Sequence, residues 1–510
     1  MKKYITLFFV LIIHYAVQAQ DNPIQEYIPS KDLTFLMYYN SAHVAQYQNI
    51  EKELSRDLQE INQFTDDMMV YTHSVDSFHV MLTVRFKLSE GVTSKKIYEL
   101  IDESNFIISK EEGQFIDLEK EPNKPRTYCR YGFLHQGDEY WTLKLFYQQG
   151  FINKSYNALS EKVFREVTTD QISYSDYRSY VDSLDQEDLP FVKPYMTAVF
   201  NKEKQDVLQP NNIKKAVKVP QELNHLPVFT YINDQTHIPV SVVLGYDENL
   251  LSACLASSAN EYFKTFEALN QVSEGEESWY GVDINKKEVN ITNLATQASP
   301  SPKVKIDQEI LQYFPSDATS WLTYGFDMEW LRDKIVNHLS PEPKRSEGEM
   351  KLRILTMGDD FLKVFQTGFI AFNKEKSSDL KFKAAFKMPN AEKGKLLIQT
   401  LSYEMDYLTK IDKETYLVTH PKFGNDETYL VIVDDIWILG AGRPELLKQK
   451  NKKVLQQHPE LANSKTNMVM EVTDNTFGTE SIIRRIYSNS EYLSKKKIRT
   501  KTTLELRLEN

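Results

Sequence analysis

The stretch HVMLTVRFKL, residues 79–88, sets apolar against polar side chains with a strict period of two. Val80, Leu82, Val84, Phe86 and Leu88 share one face; His79, Met81, Thr83, Arg85 and Lys87 share the other. Side chains along a strand alternate between faces, so this spacing predicts a half-buried antiparallel strand. LKFKAAFKM repeats the pattern, with Leu380, Phe382, Ala384, Phe386 and Met388 set against three lysines and an alanine. Leu504, Leu506 and Leu508 alternate in a closing strand. Elsewhere the period lengthens. Val44, Tyr47, Ile50, Leu54, Leu58 and Ile61 recur at three and four, which predicts an amphipathic helix over 41–63. DMEWLRDKIVNHL predicts another over 327–339 with Asp327 as its cap. Glu111-Glu112-Gly113 and Gln136-Gly137-Asp138 mark hairpin turns.

These elements come in two matching series. YIPSKDLTFLMYYNSAHV at 27–44 is restated as YFPSDATSWLTYGFDMEW at 313–330, and each opens a strand, a helix, further strands and an alternating strand. The pattern predicts an α+β protein of two related units, each a mainly antiparallel β-sheet with helices packed on one face. Residues 20–298 form the first copy, with a helical insertion at about 153–222. Residues 299–310, where Pro300 and Pro302 resist regular structure, form a linker, and 311–510 form the second copy. The repeated opening, Ile28-Pro29-Ser30-Lys31-Asp32 and Phe314-Pro315-Ser316-Asp317, resembles uncharacterised secreted protein families of the Bacteroidota. The resemblance implies an exported setting and assigns no catalytic residue. The first copy departs from the pattern, placing Lys31 before the acid.

The N-terminal residues support export independently. Lys2 and Lys3 precede a mostly apolar run from Tyr4 to Val17, and small residues lead to a cleavage point between Ala19 and Gln20. That run is shorter than the roughly 20 residues a membrane-crossing helix needs, and His14 interrupts it. The mature chain is therefore expected in the periplasm or outside the cell, without an integral membrane segment. Removing residues 1–19, which hold two lysines and no acid, takes the formal charge from −11 to −13. A negative surface disfavours nucleic acid as a partner. The chain has two cysteines, Cys129 and Cys254, whose pairing as a disulfide depends on geometry.

Candidate chemistry is sparse. Gly440-Ala441-Gly442 lies between a strand and a helix, but a dinucleotide fingerprint would need its third glycine at Glu445, whose carboxylate repels pyrophosphate. No cofactor is expected. His73, Asp76 and His79 are the candidates for a metal, although exposed strand and turn residues explain them more simply. His135, Asp138 and Tyr140 mark a hairpin tip that offers a surface contact loop. Asp434-Asp435 is a carboxylate pair that a turn explains better than acid–base chemistry. The expectation is a non-enzymatic binding or interaction scaffold for a peptide, glycan or partner protein. The alternative is a hydrolase, glycosidase-like, whose carboxylates come from different copies.

Overall fold

The computed structural model describes residues 33–40, 64–76, 79–103, 106–120, 129–148, 151–168, 172–208, 219–233, 277–284, 287–296, 302–330, 332, 363–374, 380–404, 407–419, 427–473 and 483–506. The expected helices over 41–63 and 327–339, the export segment and Cys254 lie wholly or largely outside them. By contact density the described chain falls into two compact units. Unit 1 takes 33–233 and 279–283; unit 2 takes 277–278 and 284–506.

The expected fold class is corrected. Strand accounts for 46% and helix for 28% of the described residues, and the strands make one large 20-stranded antiparallel sheet. Helices do not form a layer on one face. The physical reason is visible on the second strand face of unit 1. Alternation along 79–88 suggested that His79, Met81 and Thr83 face water, but all three are buried. A helix from later in the chain covers them.

Unit 1 contains β1 (Leu33–Tyr39), β2 (Thr65–Ser74), β3 (His79–Leu88), helix α1 (Ser94–Glu103), β4 (Phe106–Glu112), β5 (Phe115–Lys120), β6 (Cys129–Gln136) and β7 (Trp141–Gln148). Helices α2 (Lys154–Thr168) and α3 (Tyr174–Leu208) follow, then β8 (Val228–Asn233). Antiparallel pairing gives the order β8-β1-β2-β3-β7-β6-β5-β4. Ser173 starts α3, accepting from the Asp176 amide at 3.1 Å. Val192 and Met196 of α3 then pack on Met81 and Phe146, with Tyr195, Val199 and Phe200 alongside.

Strand β9 (Glu277–Ile284) comes next in the chain; in unit 2, β10 (Glu288–Thr296) precedes helix α4 (Gln308–Leu311), β11 (Ser320–Gly325), β12 (Thr367–Lys374) and β13 (Leu380–Lys387). Helix α5 (Ala391–Glu404) leads to β14 (Leu408–Lys410), β15 (Thr415–Val418), β16 (Thr428–Val433) and β17 (Ile436–Ala441). Helices α6 (Pro444–Leu447) and α7 (Val454–Gln457) precede β18 (Thr466–Thr473), β19 (Ile483–Tyr492) and β20 (Lys497–Leu506). Pairing gives β10-β20-β19-β18-β11-β12-β13-β17-β16-β15-β14. Helices here occupy both sheet faces. Leu311, Leu447 and Val454 pack on the face of Phe369, Ala385 and Ile438, whereas Ile398 of α5 packs on the face of Phe386 and Trp437.

From β18 to β14 this order repeats that of unit 1 from β8 to β4. The registers agree too: Phe86 stands opposite Trp141, and Phe386 opposite Trp437. Following that register outward, Tyr39 corresponds to Tyr324, an offset of 285 where the written repeat is offset by 286. The extra residue in the first copy is accounted for by Lys31. Cores adjust by exchange across strands. Leu36 faces Tyr71 where Trp321 faces Ala371, and Tyr38 faces Met69 where Thr323 faces Phe369. In each case one large and one smaller residue trade places, which conserves volume.

Candidate functional site

The densest chemistry in unit 1 lies between α3 and the β2–β3–β7 strands. On β7, Lys144 stands opposite Thr83, and on β2, His73 stands opposite Met81, so all four share the face beneath α3. Glu203, near the end of α3, is buried and ion-pairs with Lys144. It also accepts a hydrogen bond from His73 Nε2 at 3.2 Å. Burial opposes the charge of Glu203, but the His73 hydrogen bond and the Lys144 ammonium prevail and hold its carboxyl well below the usual carboxylate range. Burial opposes the charge of Lys144 as well; its anionic surroundings raise it above the ordinary amine value.

A second polar contact clips the same helix. His79 Nδ1 donates to both Asp76 oxygens, at 2.7 and 2.8 Å, and the Tyr195 hydroxyl of α3 donates to Asp76 Oδ2 at 2.5 Å. Burial, then the hydrogen bond to Asp76, raises the Tyr195 phenol well above its normal range. The His79 ring stacks on Phe146 at 5.3 Å.

The three metal candidates thus divide. Asp76 and His79 meet; His73 is turned to Glu203 instead. Among the described residues no group of three or more His, Cys, Asp or Glu is arranged to hold a metal ion. His135 is buried, its Nε2 donating to Gln114 Oε1 at 3.3 Å and its ring against Phe115 at 4.8 Å. Tyr140 is buried beneath the Arg85 guanidinium at 5.0 Å, while Asp138 is exposed. Cys129 opens β6 and its candidate partner lies outside the described residues.

In unit 2, Asp434 takes a φ of 54° at the tight turn joining β16 and β17. Asp435 lies 3.8 Å from the Lys387 ammonium, which also pairs with Asp307 at 2.9 Å and with Glu309. Asp307, Glu309 and Lys387 border an open concavity of about 490 Å³ lined by 304–309, Thr367 and Lys387. Asp435 is thus tied to the Lys387 ammonium and is not a free member of an acid–base pair. Gly442 has a φ of 110° and Pro444 starts α6, so the glycine-rich stretch is a strand-to-helix turn.

Sequence reasoning missed the Lys144–Glu203 pair. The two residues are 59 positions apart, on different element types, and a single lysine in an alternating strand carries no signal of its partner.

No family model matches the chain, and no curated protein matches it. Among solved structures, crystal form I of TP0453 aligns at 12% identity and a TM-score of 0.22, over 64% of this chain and 90% of that one. At that score the likeness carries no argument. Among the described residues no helix is long and apolar enough to cross a membrane.

Proposed function

We propose that this is an exported envelope protein, periplasmic or secreted, acting as a non-enzymatic interaction scaffold that takes an extended peptide or partner-protein segment along a sheet edge. One observation carries the reading: β4 is an edge of the sheet among the described strands. Among the described residues it pairs with β5 alone, and Ile107 and Ile108 are 46% and 36% exposed. An edge strand presents unpaired main-chain groups that template another strand, with side-chain pockets adding selectivity. Among the described residues its counterpart β14 also pairs with a single strand, and Tyr407 and Ile411 stand exposed beside it. The buried charges offer no rival site: Glu203, Lys144, His73, Asp76 and His79 are engaged with one another or with α3. Export is supported by the charged start, apolar run and small-residue cleavage point at 1–20.

The test selects binders from a random extended-peptide library against the full chain and maps them by hydrogen exchange. Selected peptides are expected to slow exchange of alternate amides in 106–112. Binders that protect only other segments, or none at all, would reject edge pairing. Fractionation with N-terminal sequencing should recover a chain starting at Gln20; a full-length chain held in the inner membrane would reject export.

A further inference from the structure

We propose that the segment taken up by β4 is bipartite and directional: a basic residue followed, two and three positions on, by two apolar residues, running antiparallel to β4. This deepens the scaffold reading above and rests on it.

Of the two edges, β4 is the longer, with 7 residues against 3 in β14. Every residue from Ile107 to Glu112 is exposed, so neither face of the strand is covered there. The strand has an apolar end and an acidic end: Ile107 and Ile108 stand at one, Glu111 and Glu112 at the other. Lys110 pairs with Glu112, leaving Glu111 exposed and without a hydrogen-bond or ion-pair partner among the described residues.

A bulge sets the order in which a partner meets these groups. Ile108 stands opposite Leu118 and Lys110 opposite Asp117, so Ser109 has no residue across from it. The Ser109 hydroxyl donates to the Asp117 carbonyl oxygen at 3.2 Å and pins the bulge in place. The slip turns Ile108 and Glu111 to one face, across from Leu118 and Ile116, and Ile107 and Lys110 to the other, across from Glu119 and Asp117. The ladders of unit 1 are all antiparallel. A segment entering in that sense, and following the bulge as β5 does, sets its first residue opposite Glu111 and its second opposite Lys110. Its third and fourth then lie opposite Ile108 and Ile107. The carboxylate selects Lys or Arg at the first position and repels an acid there, while the isoleucines select β-branched or aromatic residues at the third and fourth.

The experiment titrates the full chain with a capped, dye-labelled peptide Thr-Arg-Thr-Val-Ile-Thr and, as control, the same residues in reverse order, following anisotropy and hydrogen exchange over 106–112. The forward peptide is expected to bind and to slow exchange there, and the reversed one to bind about fivefold more weakly. Glu111→Lys should weaken the forward peptide by about fivefold with an unchanged melting curve. A peptide with Glu in place of Arg should bind Glu111→Lys better than it binds the unaltered chain. Equal affinity of the forward peptide for Glu111→Lys and the unaltered chain would overturn the proposal, as would equal binding of the two peptide directions. If library peptides protect β4 while the forward peptide does not, or share no basic-then-apolar order, only this assignment falls; if neither library nor designed peptides protect β4, the scaffold reading falls with it.

Discussion

In unit 1 the corner formed by β2, β3 and β7 holds His73, Thr83 and Lys144; in unit 2 the same corner holds Asn373, Lys383 and Gly440. Each keeps one lysine and one nearby carboxylate, yet no residue is shared. Glu203 arrives in the first from a 35-residue helix, and Asp317 approaches the second from the strand opening. The difference teaches that the ladder sets where a buried cation can be tolerated, while connection length decides how completely it is neutralised. The apolar exchanges between Leu36/Tyr71 and Trp321/Ala371 make the same point for volume: the cross-strand pair is conserved as a unit, not its members.

The sharpest way to break the comparison is to remove the acid from the better-paired corner. Glu203→Leu leaves the Lys144 ammonium buried without its ion-pair partner and should cost about 3–5 kcal/mol by denaturant unfolding. Adding Lys144→Met should recover most of that loss. Lys383→Met should cost under about 1 kcal/mol or stabilise, because burying an unpaired amine already disfavours the native state. Equal losses for Glu203→Leu and Lys383→Met would show that the two corners do not differ.

The aromatic anchors come next. Phe86→Ala should cost about 3–4 kcal/mol. Phe386→Ala should cost less, since Phe386 is only partly buried where Phe86 is buried. A larger loss at Phe386 would reverse the expected ranking of the two positions.

A smaller effect separates Asp67 from its counterpart Thr367. Burial raises the Asp67 carboxyl to about 6. The folded state therefore favours the protonated form: this stability is present below the unfolded value near 4 and is lost as pH rises through 6. Asp67→Asn should raise stability by about 1–2 kcal/mol at pH 8, with the gain gone by about pH 4. A gain constant across that range would exclude the carboxyl as its source. Least of all should Arg485→Gln matter. Its bonds to Glu471 and Glu505, at 2.7 and 2.8 Å, are partly exposed, so the loss should stay within about 1 kcal/mol and shrink in high salt.

Much of the strand framework was legible. Alternation located β3, β13 and β20, and the hairpin turns fell at Gly113 and beside Gly137, because both signals are local. Coverage was not legible. Period two distinguishes the two faces of β3 but does not report whether the polar-looking one meets water or a distant helix; Met81 and Thr83 are buried because α3 returns from about a hundred residues downstream. The candidate corner was half visible. His73 and His79 stood out as a pair, but the partners that separate them, Glu203 and Asp76, lie at very different distances along the chain. No single-sequence pattern encodes which of two carboxylates a histidine will meet.

The pairing of β10 with β20 governs how this protein comes into being. Glu288 lies opposite Glu505, and Thr296 opposite Lys497, so this ladder joins strands about two hundred residues apart in the chain. The other partner of β10, β9, is its neighbour in the chain, whereas closing the long loop to β20 is slow. Completion of this ladder is therefore a late step, set by the long connection between the two strands. A chain truncated before Lys497 lacks the whole strand that closes this ladder.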